Sequence, residues 1–96
     1  MPENQDYSAI EKKVLETLQD QFGKEDITIE TNLVDDINAD SLDQVETLME
    51  LEDQFEIVIP TEETDKYFSE NGGPIVKNLI NYIAEKKGVK KYSDDS

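Results

Sequence analysis

Three segments of this chain carry apolar residues in steps of three and four, and this periodicity constrains the fold more than any other feature. Such spacing places the apolar side chains along one face of a helix. The segments are residues 7–22, residues 41–56 and a last one that starts near Pro74 or Ile75. A glycine follows the first and the last segment, where it would end a helix. The pattern therefore predicts an all-α protein.

The stretches between these segments predict two connections and one short helix. Residues 24–39 form a long connection, and its apolar residues indicate that it lies against the helices. Residues 56–60 are a β-branched run that we interpret as a turn-like crossing, because no other run offers it a partner strand. A short helix should begin at Thr61, and residues 69–74 have the composition of a loop. The expected architecture is a small bundle of three main helices plus one short helix.

Length and composition indicate a single domain with a modest core. The chain has 96 residues, of which 35% are hydrophobic. We expect one domain over 1–96, with an ordered core over about 7–86 and a flexible tail over 87–96. No apolar run of about 18 residues could span a bilayer, and the N-terminus lacks the basic and apolar parts of a signal peptide. We therefore expect a cytoplasmic monomer that does not insert into membranes.

The balance of charges excludes several classes of function. The net charge is −15, which argues against nucleic acid as a partner. Residues 25–65 contain fifteen acids and no lysine or arginine, a distribution that would attract proteins carrying a basic patch. The chain has no cysteine and no histidine, so it lacks thiolate ligands and the commonest general base. We expect neither intrinsic catalysis nor a transition-metal site.

The stretch DDINADSLDQVE raises the question of a calcium site. Asp36, Asn38 and Asp40 alternate as the first ligands of an EF-hand loop do. The sixth position is Ser41, where that loop requires glycine, and the twelfth is Thr47, where it requires a bidentate glutamate. The pattern fails at the two positions that are hardest to replace, and we predict no metal site.

Ser41 itself stands at the predicted start of the second helix. A catalytic serine needs a neighbouring base and an oxyanion hole, and the nearby acids would repel an oxyanion. Serine is also an ordinary residue at helix starts. Asp40 is placed to cap the helix, and Asp43 follows at the position of a capping box. The residues taken alone favour the structural role for Ser41.

Residues 38–60, NADSLDQVETLMELEDQFEIVIP, closely resemble the carrier signature of acyl carrier proteins, and the similarity covers about residues 7–86. The resemblance implies an acyl-carrier-type helical bundle. It implies that Ser41, flanked by Asp40 and Leu42, bears covalent 4′-phosphopantetheine added by a phosphopantetheinyl transferase. Such a protein is a non-enzymatic carrier. It would hold acyl groups as thioesters and deliver them to enzymes of fatty-acid, polyketide or related lipid biosynthesis.

The same resemblance assigns two further sets of residues. Partner enzymes with basic docking patches would meet the outward face of the second helix, formed by Asp43, Glu46, Met49, Glu52 and Asp53. The interior that packs the bundle and shelters the acyl chain would be formed by Leu33, Val34, Val45, Leu48, Leu51, Ile59 and Ile83. Asn38 stands where the family often has glycine, and asparagine also tolerates left-handed backbone.

The resemblance leaves the cargo open. A carrier of aminoacyl or aryl groups would show the same motif. Residues 60–83 are longer than in typical fatty-acid carriers, which fits either a specialised pathway or a tolerated loop insertion. A hypothesis from a different class is a small acidic calcium- or protein-binding module.

Overall fold

The computed structural model describes residues 7–89, and every regular element in that range is helical. Four helices follow one another along the chain: α1 Tyr7–Phe22, α2 Ser41–Phe55, α3 Thr61–Glu70 and α4 Val76–Lys87. The all-α prediction is confirmed, and α3, with 10 residues, is the short helix of the bundle. Residues 1–6 and 90–96, which contain most of the predicted flexible tail, lie outside the described range.

Glycines end the first and last helices, as predicted. Gly23 has φ 64° after α1, and Gly88 has φ 73° after α4. Glycine adopts such left-handed backbone without the steric cost that a Cβ atom imposes. The Val89 amide then donates to the carbonyl of Ala84 at 2.8 Å, as in a Schellman motif. The last helix and its cap therefore extend past the predicted end of the ordered core.

The core lies where the apolar faces of the four helices meet. Helix α1 packs against α2 and α4, and α3 packs against α4. The fully buried apolar side chains are Ile10, Val14, Leu18, Leu51, Val76, Leu79, Ile80 and Ile83. Burial of a side chain of this size is worth about 1.5–3 kcal/mol relative to exposure. The three longer helices thus supply all of the fully buried apolar side chains in the described residues, and α3 packs against this core.

The connection between α1 and α2 packs as structure, as its apolar residues predicted. Ile27, Leu33 and Ile37 are buried in the core. The Leu33 amide donates to the carbonyl of Pro74 at 2.8 Å, and the Val76 amide donates to the carbonyl of Thr31 at 2.9 Å. The second bond satisfies an amide at the start of α4 that has no partner inside its own helix. These bonds hold the segment that leads into α2.

A group of polar and aromatic side chains, here called the α3–α4 clamp, joins the two helices of its name. The Tyr82 hydroxyl donates to Glu63 at 2.7 Å, and the Lys86 ammonium lies 3.1 Å from the same carboxylate. The Tyr67 hydroxyl donates to Glu85 at 3.1 Å. The Tyr67 and Tyr82 rings meet edge to face with their centroids 5.5 Å apart. The clamp fixes the exposed side of α3 against α4.

The far end of α3 is held by a buried amide. Helix α3 continues to Glu70, so the loop predicted over residues 69–74 is shorter than expected. The Asn78 side chain, 5% exposed, donates to the carbonyls of Asn71 and Gly73 at 3.0 and 2.8 Å. Asn78 belongs to α4, and it therefore ties the end of α3 to the neighbouring helix.

Because of the clamp, we expect the folded protein to lose stability at alkaline pH. Burial is the largest cause, followed by the hydrogen bond to Glu85 and the charge of that carboxylate, and together they raise the pKa of Tyr67 from its ordinary value of 10.0 to about 12. The stability linked to Tyr67 is therefore fully present below the unfolded pKa and is lost as the pH rises towards 12. We expect Tyr67→Phe to lose less stability than the native chain across this window, measured by urea unfolding at several pH values. Lysine titration is common to both chains and cancels, so parallel pH profiles would contradict the prediction.

Candidate functional site

The segment before α2 sets the direction in which the chain enters that helix. The Asn32 side-chain oxygen accepts from the amides of Val34 and Asp35 at 2.8 and 2.9 Å, which closes a tight turn. Asn38 then has φ 63°, which confirms that this position needs left-handed backbone. Ala39 is buried, and the chain enters α2 directly after it. Because the turn is anchored in the core, the first residues of α2 have a defined direction.

Asp40 and Asp43 form the capping box that the sequence predicted. The Asp43 amide donates to the Asp40 carboxylate at 2.9 Å, and the Asp40 amide donates to the Asp43 carboxylate at 3.3 Å. A cap of this kind is worth about 1 kcal/mol to a helix. The two carboxylates therefore fix α2 so that Ser41 is its first residue.

The Ser41 side chain is exposed at this helix start. Within residues 7–89 its hydroxyl has no hydrogen-bond partner. The first amides of a helix have no partner inside the helix and attract negative charge. A phosphodiester on Ser41 would thus meet open space and free amides, although the carboxylates of Asp40 and Asp43 would oppose it. The residues fit a covalently attached phosphopantetheine arm that is accommodated and not gripped.

The calcium pattern does not assemble as a cage. The Asp36 carboxylate accepts from the Asn32 amide at 2.8 Å, and Asp40 is occupied by the capping box. Two of the carboxylates that would have to bind the calcium ion thus accept hydrogen bonds from backbone amides. Among the described residues, no group of three or more acidic side chains is placed to hold a metal ion.

One exposed face of α2 combines acids with apolar side chains, and we call it the docking face: Leu42, Glu46, Met49 and Asp53. These residues are spaced by three or four positions and therefore share one side of the helix. Leu42 is 65% exposed and Met49 is 60% exposed, so two large apolar side chains meet solvent on this face. The face begins next to Ser41 and continues along the whole length of α2.

Two of the acids assigned to partner contact have structural roles. Asp43 belongs to the capping box, and Glu52 is half-buried. The Glu52 carboxylate accepts from the Ile59 amide at 2.7 Å, which holds the crossing between α2 and α3. Helical spacing could not reveal this role, because Ile59 approaches Glu52 only after the chain turns back.

Glu52→Ala should therefore destabilise the fold. The substitution leaves the amide of Ile59, itself 3% exposed, without its acceptor. A hydrogen bond to a charged group is worth about 1.5–3 kcal/mol, and we expect a loss near the lower figure because Glu52 is partly solvated. Asp53→Ala, one residue further along the same helix and exposed, should change stability by less than about 0.5 kcal/mol. Equal midpoints of urea unfolding for the two variants would contradict this role.

The interior set that the resemblance assigned is buried with two exceptions. Leu33, Leu48, Leu51, Ile59 and Ile83 are all less than 8% exposed. Val45 is half-buried. Val34 is 42% exposed, so its placement in the interior is wrong. Asn32 caps the turn that contains Val34, and that turn directs Leu33 inwards and leaves Val34 on the surface.

A narrow cleft lies between α2 and α3. Its cavity volume is about 20 Å³, and it is lined by Leu33, Gln44, Thr47, Leu48, Thr61, Thr64, Asp65, Phe68 and Leu79. Only Leu33 and Leu48 belong to the interior set expected from the sequence. The other lining residues of α2 and α3 recur at three- and four-residue spacing on facing sides of the two helices. That spacing was visible in the sequence, but the contact of those two faces was not.

None of the helices in residues 7–89 is long and apolar enough to cross a membrane. This part of the chain has the dimensions of a small bundle, with extents of 37 × 27 × 23 Å.

Comparison with known proteins agrees with this geometry. The family model described as the phosphopantetheine attachment site matches residues 12–67, which include α2 and its start at Ser41. The chain is 39% identical over 84 residues to the acyl carrier protein of Syntrophobacter fumaroxidans (strain DSM 10017 / MPOB). The alignment covers 85% of this chain and 96% of that protein. The resemblance drawn from the motif is confirmed: this chain belongs to the acyl carrier protein family, whose members carry a phosphopantetheine attachment site.

Proposed function

We propose that this acyl carrier is modified on Ser41 and presents its acyl groups to enzymes that dock on α2. The observation that carries the proposal is the exposed Ser41 hydroxyl, without a partner among the described residues, at a helix start fixed by the Asp40–Asp43 capping box. This serine lies within the stretch that matches the attachment-site family. Phosphopantetheine, once bound, supplies the thiol that holds the acyl group as a thioester.

We assign the attachment step to a second protein, since this chain has no histidine, the commonest general base. The Ser41 oxygen forms a bond to the phosphorus at the pantetheine end of the coenzyme A pyrophosphate. The bond from that phosphorus to the bridging oxygen breaks, and the adenosine bisphosphate half leaves. The hydroxyl proton passes to a base of the phosphopantetheinyl transferase. The contribution of this chain is to present the oxygen free and exposed.

The charges around Ser41 suit an arm that moves between enzymes. Free amides at the start of α2 favour the phosphodiester, whereas the carboxylates of Asp40 and Asp43 repel it. These opposing contributions leave the phosphate weakly held. The arm can then leave the surface of the carrier and enter the active site of a partner.

The docking face supplies the contact with partners. Glu46 and Asp53 lie in the window over residues 25–65, which has no base to neutralise them. Enzymes with basic patches would be steered towards this side of the carrier. Met49 lies between these acids and is 60% exposed, and its flexible side chain can adapt to different partners. We place this activity in the cytoplasm, where the sequence predicts the protein to be.

The direct test is to incubate the chain with coenzyme A and a phosphopantetheinyl transferase of broad specificity. We expect one mass gain of about 340 Da per chain, the size of the phosphopantetheine group. Mass spectrometry of the intact protein measures the gain. Failure of several transferases to modify the folded chain would refute the proposed function.

A further inference from the structure

The exposed apolar side chains of this protein are concentrated on and around α2. Residues 7–89 contain four large apolar side chains that are exposed: Val34, Leu42, Met49 and Val58. Leu42 and Met49 belong to the docking face, and Val58 follows the end of α2. Val58 is the most exposed of the four, at 71%. A single exposed valine is ordinary on a protein surface, so its role depends on where the fold holds it.

The chain turns back on α2 directly before Val58. Glu56 ends the helix with φ 58°, a left-handed backbone that is costly for a residue with a Cβ atom. The amide of Ile57 donates to the carbonyl of Glu52 at 3.2 Å, and the amide of Ile59 donates to the carboxylate of Glu52 at 2.7 Å. Both neighbours of Val58 are thus bound to one residue of α2, which fixes the position of Val58 relative to that helix.

This position lies at the end of the docking face. Glu52 follows Met49 by three positions and precedes Asp53 by one, so the segment bound to Glu52 runs beside the last turn of this face. Ile59 is 3% exposed and anchors the segment in the core, whereas Val58 meets solvent. Val58 therefore extends the exposed apolar surface of α2 beyond the helix itself.

Acids accompany this apolar extension. Asp53 and Glu56 are exposed, and the window over residues 25–65 contains no base that could neutralise them. Apolar side chains among acids are complementary to a protein surface whose apolar centre is bordered by lysine or arginine. A second copy of this chain does not fit, because its own acids would be repelled.

Val58 and Ser41 lie at opposite ends of α2. The helix has 15 residues and is therefore about 22 Å long. Ser41 is its first residue, and Val58 follows its last turn. A partner that contacts both ends of the helix fixes the direction in which α2 lies on its surface. Contact at one end alone would leave the carrier free to rotate about that end.

We infer that Val58 is a partner contact that packs against an apolar patch, bordered by basic side chains, on the enzymes that dock on α2. The inference rests on the proposed function, and it assigns to Val58 the task of orienting the carrier so that Ser41 faces the active site. The branched Cβ restricts the side chain to few rotamers, and Glu52 already holds the backbone on both sides. Little conformational freedom is therefore lost when this contact forms.

The experiment measures binding of a phosphopantetheinyl transferase of broad specificity in the absence of coenzyme A, so that no group is transferred. Val58→Thr keeps the branched Cβ and replaces one methyl group with a hydroxyl. We expect stopped-flow kinetics to show dissociation that is about fourfold faster or more, the effect of losing one buried methyl group. The association rate and its dependence on salt should remain those of the native chain, because no charge changes.

Two further variants serve as controls. Val34→Thr makes the same substitution at an exposed valine in the connection before α2, outside the docking face, and should retain the native dissociation rate. Val58→Ala removes both methyl groups without adding a hydroxyl, and it should also dissociate faster than the native chain. Urea unfolding of all three variants shows whether any difference in binding comes from a change in the fold.

Three results would overturn the inference. Native dissociation rates for both Val58 variants would show that partners do not contact this side chain. Equally fast dissociation of Val34→Thr would show that the effect is not specific to the end of the docking face. Sedimentation that reveals a dimer of the native chain, lost in Val58→Thr, would assign Val58 to contact with a second copy. In each case the mass gain on Ser41 still stands, so the proposed function survives; absence of any mass gain would remove both together.

Discussion

Ser41→Ala is expected to abolish the mass gain from coenzyme A completely while leaving the fold unchanged. The substitution removes the single oxygen through which the arm would be attached. It should have little effect on stability, because the side chain is exposed and its hydroxyl has no partner in the described part of the chain. Alanine also has a high helix propensity. We expect the free energy of unfolding to change by less than about 0.5 kcal/mol.

The control for this experiment is a second exposed serine. Ser69 lies in α3, and Ser69→Ala should be modified as completely as the native chain. Circular dichroism and urea unfolding of both variants separate loss of the attachment residue from loss of the fold. A full mass gain on Ser41→Ala would place the attachment on a different residue and would refute the assignment.

Charge reversal on the docking face should slow association with partner enzymes about tenfold or more at low salt. The double variant Glu46→Lys with Asp53→Lys replaces two exposed acids of α2 and leaves the structural acids Asp43 and Glu52 intact. Electrostatic steering acts mainly on the association rate and weakens as salt increases. Stopped-flow measurement of binding to the phosphopantetheinyl transferase, at two ionic strengths, gives both quantities.

The matched control moves the same change of charge to other helices. Glu16 in α1 and Glu70 in α3 are exposed, and their replacement by lysine alters the net charge equally. If partners bind at the docking face, this control variant should retain most of the native association rate. Equal slowing by both double variants would show that only the total charge matters.

Much of the site was predictable because it depends on neighbours in sequence. The capping box joins Asp40 to Asp43, three residues apart, and both hydrogen bonds predicted from that spacing are present. The left-handed backbone at Asn38 and the stop at Gly88 follow from the conformational freedom of those residue types. Local rules of this kind placed Ser41 at the first position of α2 before any packing was known.

Other features could not be predicted, because they depend on contacts that close through space. Val34 is apolar but exposed, since the turn capped by Asn32 directs only Leu33 inwards. Glu52 has the spacing of a surface acid, yet its carboxylate is occupied by the amide of Ile59 after the chain reverses. Charge and hydropathy do not distinguish an acid that meets solvent from one that supports a turn.

The sequence by itself determined the helices, the capping box of α2, the glycine stops after α1 and α4 and the place of Ser41 at the start of α2, because each of these depends on backbone preferences and side chains within one or two turns. The tertiary structure decided which faces of α2 and α3 meet, how little space lies between them and which acids are already occupied. The physical reason is that a cleft has the volume left over after distant residues have packed. In this chain the cleft is lined by residues from the first connection and from α2, α3 and α4, so no single segment specifies its volume.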